Sequence, residues 1–88
     1  MIVFAILSPT VSNPALEAAI TTNFPNDWLK IGPGQWLTAG RGTAVDVSNL
    51  LGISDGKNGV AIIFSIASYF GRADTNVWEW IRVKLSTP

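Results

Sequence analysis

Apolar and polar residues fall into blocks along this chain, and the period changes from block to block. Ile2-Val3-Phe4-Ala5-Ile6-Leu7 is a continuous apolar run of strand length, the pattern of a strand buried on both faces. Ser8-Pro9-Thr10-Val11-Ser12 breaks it. Asn13-Pro14 then predicts a helix start, with Asn as N-cap and Pro at the first position, where its missing N–H costs nothing. Leu16, Ile20 and Phe24 recur every four residues and define one buried stripe. Ala15, Ala18 and Ala19 let this helix lie close to a sheet, and Phe24-Pro25-Asn26-Asp27 ends it.

Trp28 to Ile31 reads as a short strand, Gly32-Pro33-Gly34 as a tight turn, and Gln35 to Ala39 as the returning strand of a hairpin. After Gly40-Arg41-Gly42, Thr43 with Asp46 three residues on is close to a capping box. Ala44, Val47, Leu50 and Leu51 predict the apolar face of a second helix, with Gly52 as its C′ residue. Ser54 to Gly59 is a polar turn cluster. A long strand is expected from Val60 to about Tyr69. Its bulky face, Val60, Ile62, Phe64 and Ile66, should fill the layer under the helices. Its other face is mostly small, with Ala61, Ser65 and Ala67 beside Ile63, and leaves room for another layer. Asp74 or Thr75 then caps a last helix carrying Val77, Trp78, Ile81 and Leu85.

The order strand, helix, strand, strand, helix, strand, short helix predicts one α/β domain over residues 1–88. It is the ferredoxin-like split βαβ pattern (βαββαβ), a sandwich with a short C-terminal helix. Two helices are expected on one face of a four-stranded antiparallel sheet whose first and third strands are central.

Composition adds one thing to this picture. Of the 88 residues, 48% are hydrophobic and only 14% charged, against about 25% charged in ordinary domains. A chain this short has a modest core. More apolar side chains than such a core hides point to a homodimer.

Charge and chemistry mostly exclude. Six Lys/Arg balance six Asp/Glu with no run of either sign, which argues against nucleic acid as a partner. No cysteine or histidine is present, so disulfides, thiolate metal sites and the commonest general base are ruled out. The carboxylates Glu17, Asp27, Asp46, Asp55, Asp74 and Glu79 fall one to an element or loop, not in the pairs that acid–base catalysis needs. Serines lack a histidine partner. The expectation is a protein that is not an enzyme, with no catalytic residues, metal or cofactor. The apolar opening lacks a charged n-region and a cleavage site, so it reads as a strand. No stretch approaches the ~20 apolar residues of a membrane span. A cytoplasmic location is expected.

Gln35-Trp36-Leu37-Thr38-Ala39 ahead of the Thr43-Ala44 helix start resembles the corresponding segment of SinR-like proteins. These are short bacterial and phage proteins with the ferredoxin-like fold of the CRISPR spacer-acquisition scaffold family. Tyr69-Phe70-Gly71-Arg72 followed by Trp78-Glu79-Trp80-Ile81 resembles that family's ending. The resemblance implies a homodimer whose sheets pair or stack. The CRISPR relatives keep an acidic residue at the end of the first strand, where this chain has Ser8-Pro9-Thr10. Nuclease chemistry, which needs oxygen ligands around a divalent metal, is therefore not carried over.

Two groups of residues remain as candidate sites. Gly40, Arg41, Gly42 and Thr43 leave a strand and enter a helix. Backbone N–H groups, a guanidinium and a hydroxyl there could hold a small anion such as a nucleotide phosphate; a plain loop with an N-cap is the simpler reading. Trp36, Tyr69, Phe70 and Trp80 are the candidate interface residues, because aromatics are enriched at interfaces. Stacking of bases on Trp28, Trp36, Trp78 and Trp80 would make a nucleic-acid-associated protein, but few basic residues interleave with them. Trp78 and Trp80 are two apart on a helix, so one is expected to pack inward and the other to stay partly exposed. Tyr69, Arg72 and Arg82 could form a small polar pocket, though Arg72 paired with Asp74 or Glu79 is the simpler arrangement.

Overall fold

The computed structural model describes residues 1–88. In chain order the elements are β1 (Ile2–Leu7), α1 (Pro14–Asn23), β2 (Trp28–Gly32), β3 (Gln35–Gly40), α2 (Ala44–Leu50), β4 (Ile62–Ser65) and α3 (Thr75–Ser86). The local signals act where the sequence places them. Asn13 Oδ1 accepts the Leu16 N–H at 3.1 Å, with Pro14 opening α1. Thr43 and Asp46 close a reciprocal capping box at α2. The strands form one antiparallel sheet in the order β2-β3-β1-β4, so β1 and β3 lie inside and β2 and β4 are edges.

Helices cover both faces of this sheet. On one side α1 and α2 bury Leu16, Ile20, Phe24, Val47 and Leu51 against Phe4, Ile6 and Trp36. On the other side α3 packs Ile81, with partly buried Val77, Trp78 and Trp80, against Val3, Leu37 and Ala39. Alternation along β1 supplies both layers: Phe4 and Ile6 face α1 and α2, while Val3 and Ala5 face α3. Lys84 pins the last turn of α3 to the approach to β2. Its ammonium donates to Asp27 Oδ1 at 2.8 Å and to the Asn26 carbonyl at 3.1 Å, and lies over the Trp80 ring.

The last strand departs from expectation in two ways. The strand expected from Val60 to about Tyr69 spans only Ile62–Ser65. It pairs with Phe4 to Leu7 of the six-residue β1. At one end Pro9 has no N–H, and the Ser8 N–H goes to the Gly34 carbonyl. At the other, one further bond, Ile66 N–H to the Val3 carbonyl at 2.9 Å, ends the ladder.

The faces are also reversed. Ile63 sits opposite Ile6 and packs with Ala61 on the α1–α2 layer. Small Ala61 lets α2 come near, since Ala44, Val45 and Ser48 line one hollow with Ala61 and Ile63. Of the bulky face, Ile66 reaches the α3 layer, but Val60, Ile62 and Phe64 stay exposed. Leu50 is likewise exposed, because α2 turns only Val47 and Leu51 to the core.

Candidate functional site

The Gly40–Thr43 loop lies between β3 and α2, as its sequence suggests. The donors of Thr43 are already engaged. Asp46 Oδ2 accepts the Thr43 N–H at 2.8 Å and the Thr43 hydroxyl at 3.0 Å. Thr43 Oγ1 in turn accepts the Asp46 N–H at 3.2 Å. Gly42 adopts φ +95°, and a Cβ built there would stand 2.7 Å from Asp46 Oδ2. The glycine is thus explained by the close approach of a carboxylate that belongs to the chain itself. Arg41 points elsewhere, donating from Nη2 to the Pro88 carbonyl at 2.7 Å. The four residues form a capped turn in which Asp46 takes the place an anion would need.

Arg41→Ala is expected to leave stability within about 0.5 kcal/mol of the parent, as for other exposed surface changes. Neither chain should gain thermal stability from added nucleotide or inorganic phosphate. A phosphate-dependent rise in melting temperature that Arg41→Ala abolishes would restore the anion site.

The four candidate interface residues separate into two groups. Trp36 belongs to the core: it is 1% exposed, under α1, and no partner can reach it. The Lys30 ammonium sits 5.6 Å from its ring centroid and is paired with Glu17 Oε1 at 2.7 Å. The hydrogen bond and charge of Lys30 hold the Glu17 carboxyl below the usual glutamate range. Trp80 is half-buried against the α3 layer and covered by Lys84. Trp78 also packs on that layer, so both tryptophans are partly inward. Their 200° separation on the helix straddles Ile81, which occupies the centre of the contact.

Tyr69 and Phe70 are at the surface. Tyr69 stacks on Trp78 with ring centroids 5.9 Å apart and planes 21° apart. Phe70 makes no packing contact and is fully exposed. Together with Gly71 and Trp78 they line an open hollow of about 280 Å³. The expected Tyr69–Arg72–Arg82 pocket does not form. Arg82 hydrogen-bonds Glu79 instead, which lowers the Glu79 carboxyl pKa and raises that of the guanidinium. Arg72 is exposed and makes no ion pair.

One feature was missed by reading residues singly. Leu7, Ile62 and Phe64 lie on the α3 face of the sheet, beyond the part that α3 covers. Leu7 is 39% exposed, Ile62 59% and Phe64 50%. Period-2 alternation places these residues together on one face, but only the position of α3 decides that the face is bare. No three acidic side chains converge as a metal site would require. No helix is long and apolar enough to cross a membrane. No protein family, curated protein or solved structure was found to match this chain.

Proposed function

We propose that this chain is a non-catalytic interaction module that works as a homodimer. Its antiparallel sheet with β1 and β3 inside, and its βαββαβ order, are read as the ferredoxin-like arrangement of the SinR-like proteins it resembles. The observation that carries the proposal is the bare apolar strip of Leu7, Ile62 and Phe64, to which the exposed Tyr69 and Phe70 add apolar surface beside Trp78 of the α3 layer on the same side of the sheet. At ~150–250 Å² for an aromatic side chain, the exposed part of the strip amounts to roughly 500 Å². A stable interface takes about 800 Å² from each partner, so the strip supplies most of one.

Charge favours a second copy over nucleic acid. Lys30, Arg82 and Lys84, half of the six basic side chains, are paired with Glu17, Glu79 and Asp27. The five side chains of the strip themselves carry no charge.

Sedimentation equilibrium at tens of micromolar should give twice the monomer mass, a modest affinity on the order of −7 kcal/mol or better. A monomer throughout that range would overturn the reading.

A further inference from the structure

We infer that Phe70 is the self-recognition knob of the homodimer: in a two-fold contact it enters the hollow of the other copy, which that copy lines with Tyr69, Gly71, Trp78 and its own Phe70. This rests on the homodimer reading and specifies its contact.

Three observations converge on this segment. Phe70 is the most exposed large apolar side chain of the molecule, at 102% of its reference area. Single exposed apolar residues are ordinary, but this one is itself a wall of an open aromatic hollow of about 280 Å³ that it shares with Tyr69, Gly71 and Trp78. Gly71 follows it at φ +152°, with nothing within 4 Å of a built Cβ. No neighbour crowds that glycine, so the turn that sets Phe70 away from its own domain comes from backbone geometry that few other residues adopt. Tyr69 is held by its stack on Trp78, and Trp78 by the α3 layer, so one wall of the hollow is fixed before association. Preorganised aromatic walls reduce the ordering cost of binding.

The symmetry of the contact explains why knob and hollow are adjacent. In a two-fold interface the same patch meets itself. A protruding ring that also walls an open apolar hollow can be exchanged with its symmetry mate under that rotation. Each Phe70 enters the other copy's hollow, and the two Phe70 rings meet near the axis. Of the nearby charges, Glu79 and Arg82 neutralise each other within one copy, and the unpaired Arg72 is exposed and keeps its guanidinium in solvent at the rim of the contact.

The test compares the parent chain with Phe70→Ala and Phe70→Asp by sedimentation equilibrium, with circular dichroism to verify folding. Phe70 touches nothing in its own domain, so both variants should fold like the parent. Phe70→Ala should raise the dimer dissociation constant at least about tenfold, as loss of a central aromatic anchor does, and Phe70→Asp should abolish the dimer. A second readout leaves Phe70 intact. The chain has no cysteine, so a spin label at Ser68→Cys reports a single site. Strong label–label broadening at concentrations where the parent is dimeric is expected. A dimer with unchanged affinity in both Phe70 variants, or without label broadening, overturns the knob and leaves the homodimer reading standing. A monomeric parent overturns both.

Discussion

Trp36→Ala should destabilise the domain by about 3–5 kcal/mol, the range for removing a large buried aromatic. A domain of this size has on the order of 4–13 kcal/mol in total, so the variant should lose a large share of its urea midpoint or fail to fold. The magnitude follows from position. Trp36 is 1% exposed on the inner strand β3, opposite Ile6 of β1 and under Leu16 and Ile20 of α1. Its ring also supports Lys30, which carries the Glu17 ion pair across from β2 to α1. Trp36→Phe should cost much less, about 1–2 kcal/mol, since the indole Nε1 has no partner in hydrogen-bonding geometry and adds only the smallest of the influences that lower the Glu17 carboxyl, behind those of Lys30. Equal losses in the two variants would mean that the indole N–H, not ring volume, holds the site together.

That prediction reverses what the residue type suggested. Tryptophan is enriched at interfaces, and nothing local to Gln35-Trp36-Leu37 says which side of β3 is covered. Only the pairing register places Trp36 on the same face as Ile6 and Phe4, beneath α1. Elements whose signals are local were legible. Six consecutive apolar residues marked β1, Asn13-Pro14 the start of α1, Gly32-Pro33-Gly34 the hairpin turn, and Thr43 with Asp46 the cap of α2. Each depends on interactions within about four residues, which a sequence states directly.

What was not legible depends on distant partners. The apolar run from Val60 to Tyr69 has ample β propensity, yet β4 begins only at Ile62, opposite the last residue of β1, and its pairing stops after Ile66 while β1 still runs on to Ile2. Its faces were misassigned because the bulky positions were given to the helical layer. In the structure α2 approaches through small Ala61, and Ile62 and Phe64 are left outward. The Gly40–Thr43 loop shows the same limit at the level of chemistry. Glycines before a helix suit an anion, and here the anion is Asp46, already visible in the sequence as the capping partner. Tyr69 and Phe70 lie at the surface, and the hollow they line with Trp78 exists only once α3 docks.

Docking of α3 is therefore the step on which the second face depends, and Ile81→Ala should undo it. Ile81 is the only fully buried side chain of the helix, 3% exposed among Val3, Leu37 and Ala39. Truncation should cost about 2–5 kcal/mol. A helix of twelve residues is marginal in water without a surface to pack on, and Asp74 supplies no side-chain cap to compensate. The loss should therefore appear first as local opening. Amide exchange should accelerate through Thr75–Ser86 while the α1 amides, packed on the opposite face around Leu16 and Ile20, stay slow. Trp78→Ala should be milder, because Trp78 is only half-buried and leaves Ile81 seated. With α3 loosened, the Tyr69–Trp78 stack and the hollow beside Phe70 lose their fixed wall, so self-association should weaken along with stability. An unchanged denaturation midpoint for Ile81→Ala, with α3 amides as slow as in the parent, would mean that the Lys84–Asp27 contact and the two tryptophans hold the helix without the central side chain.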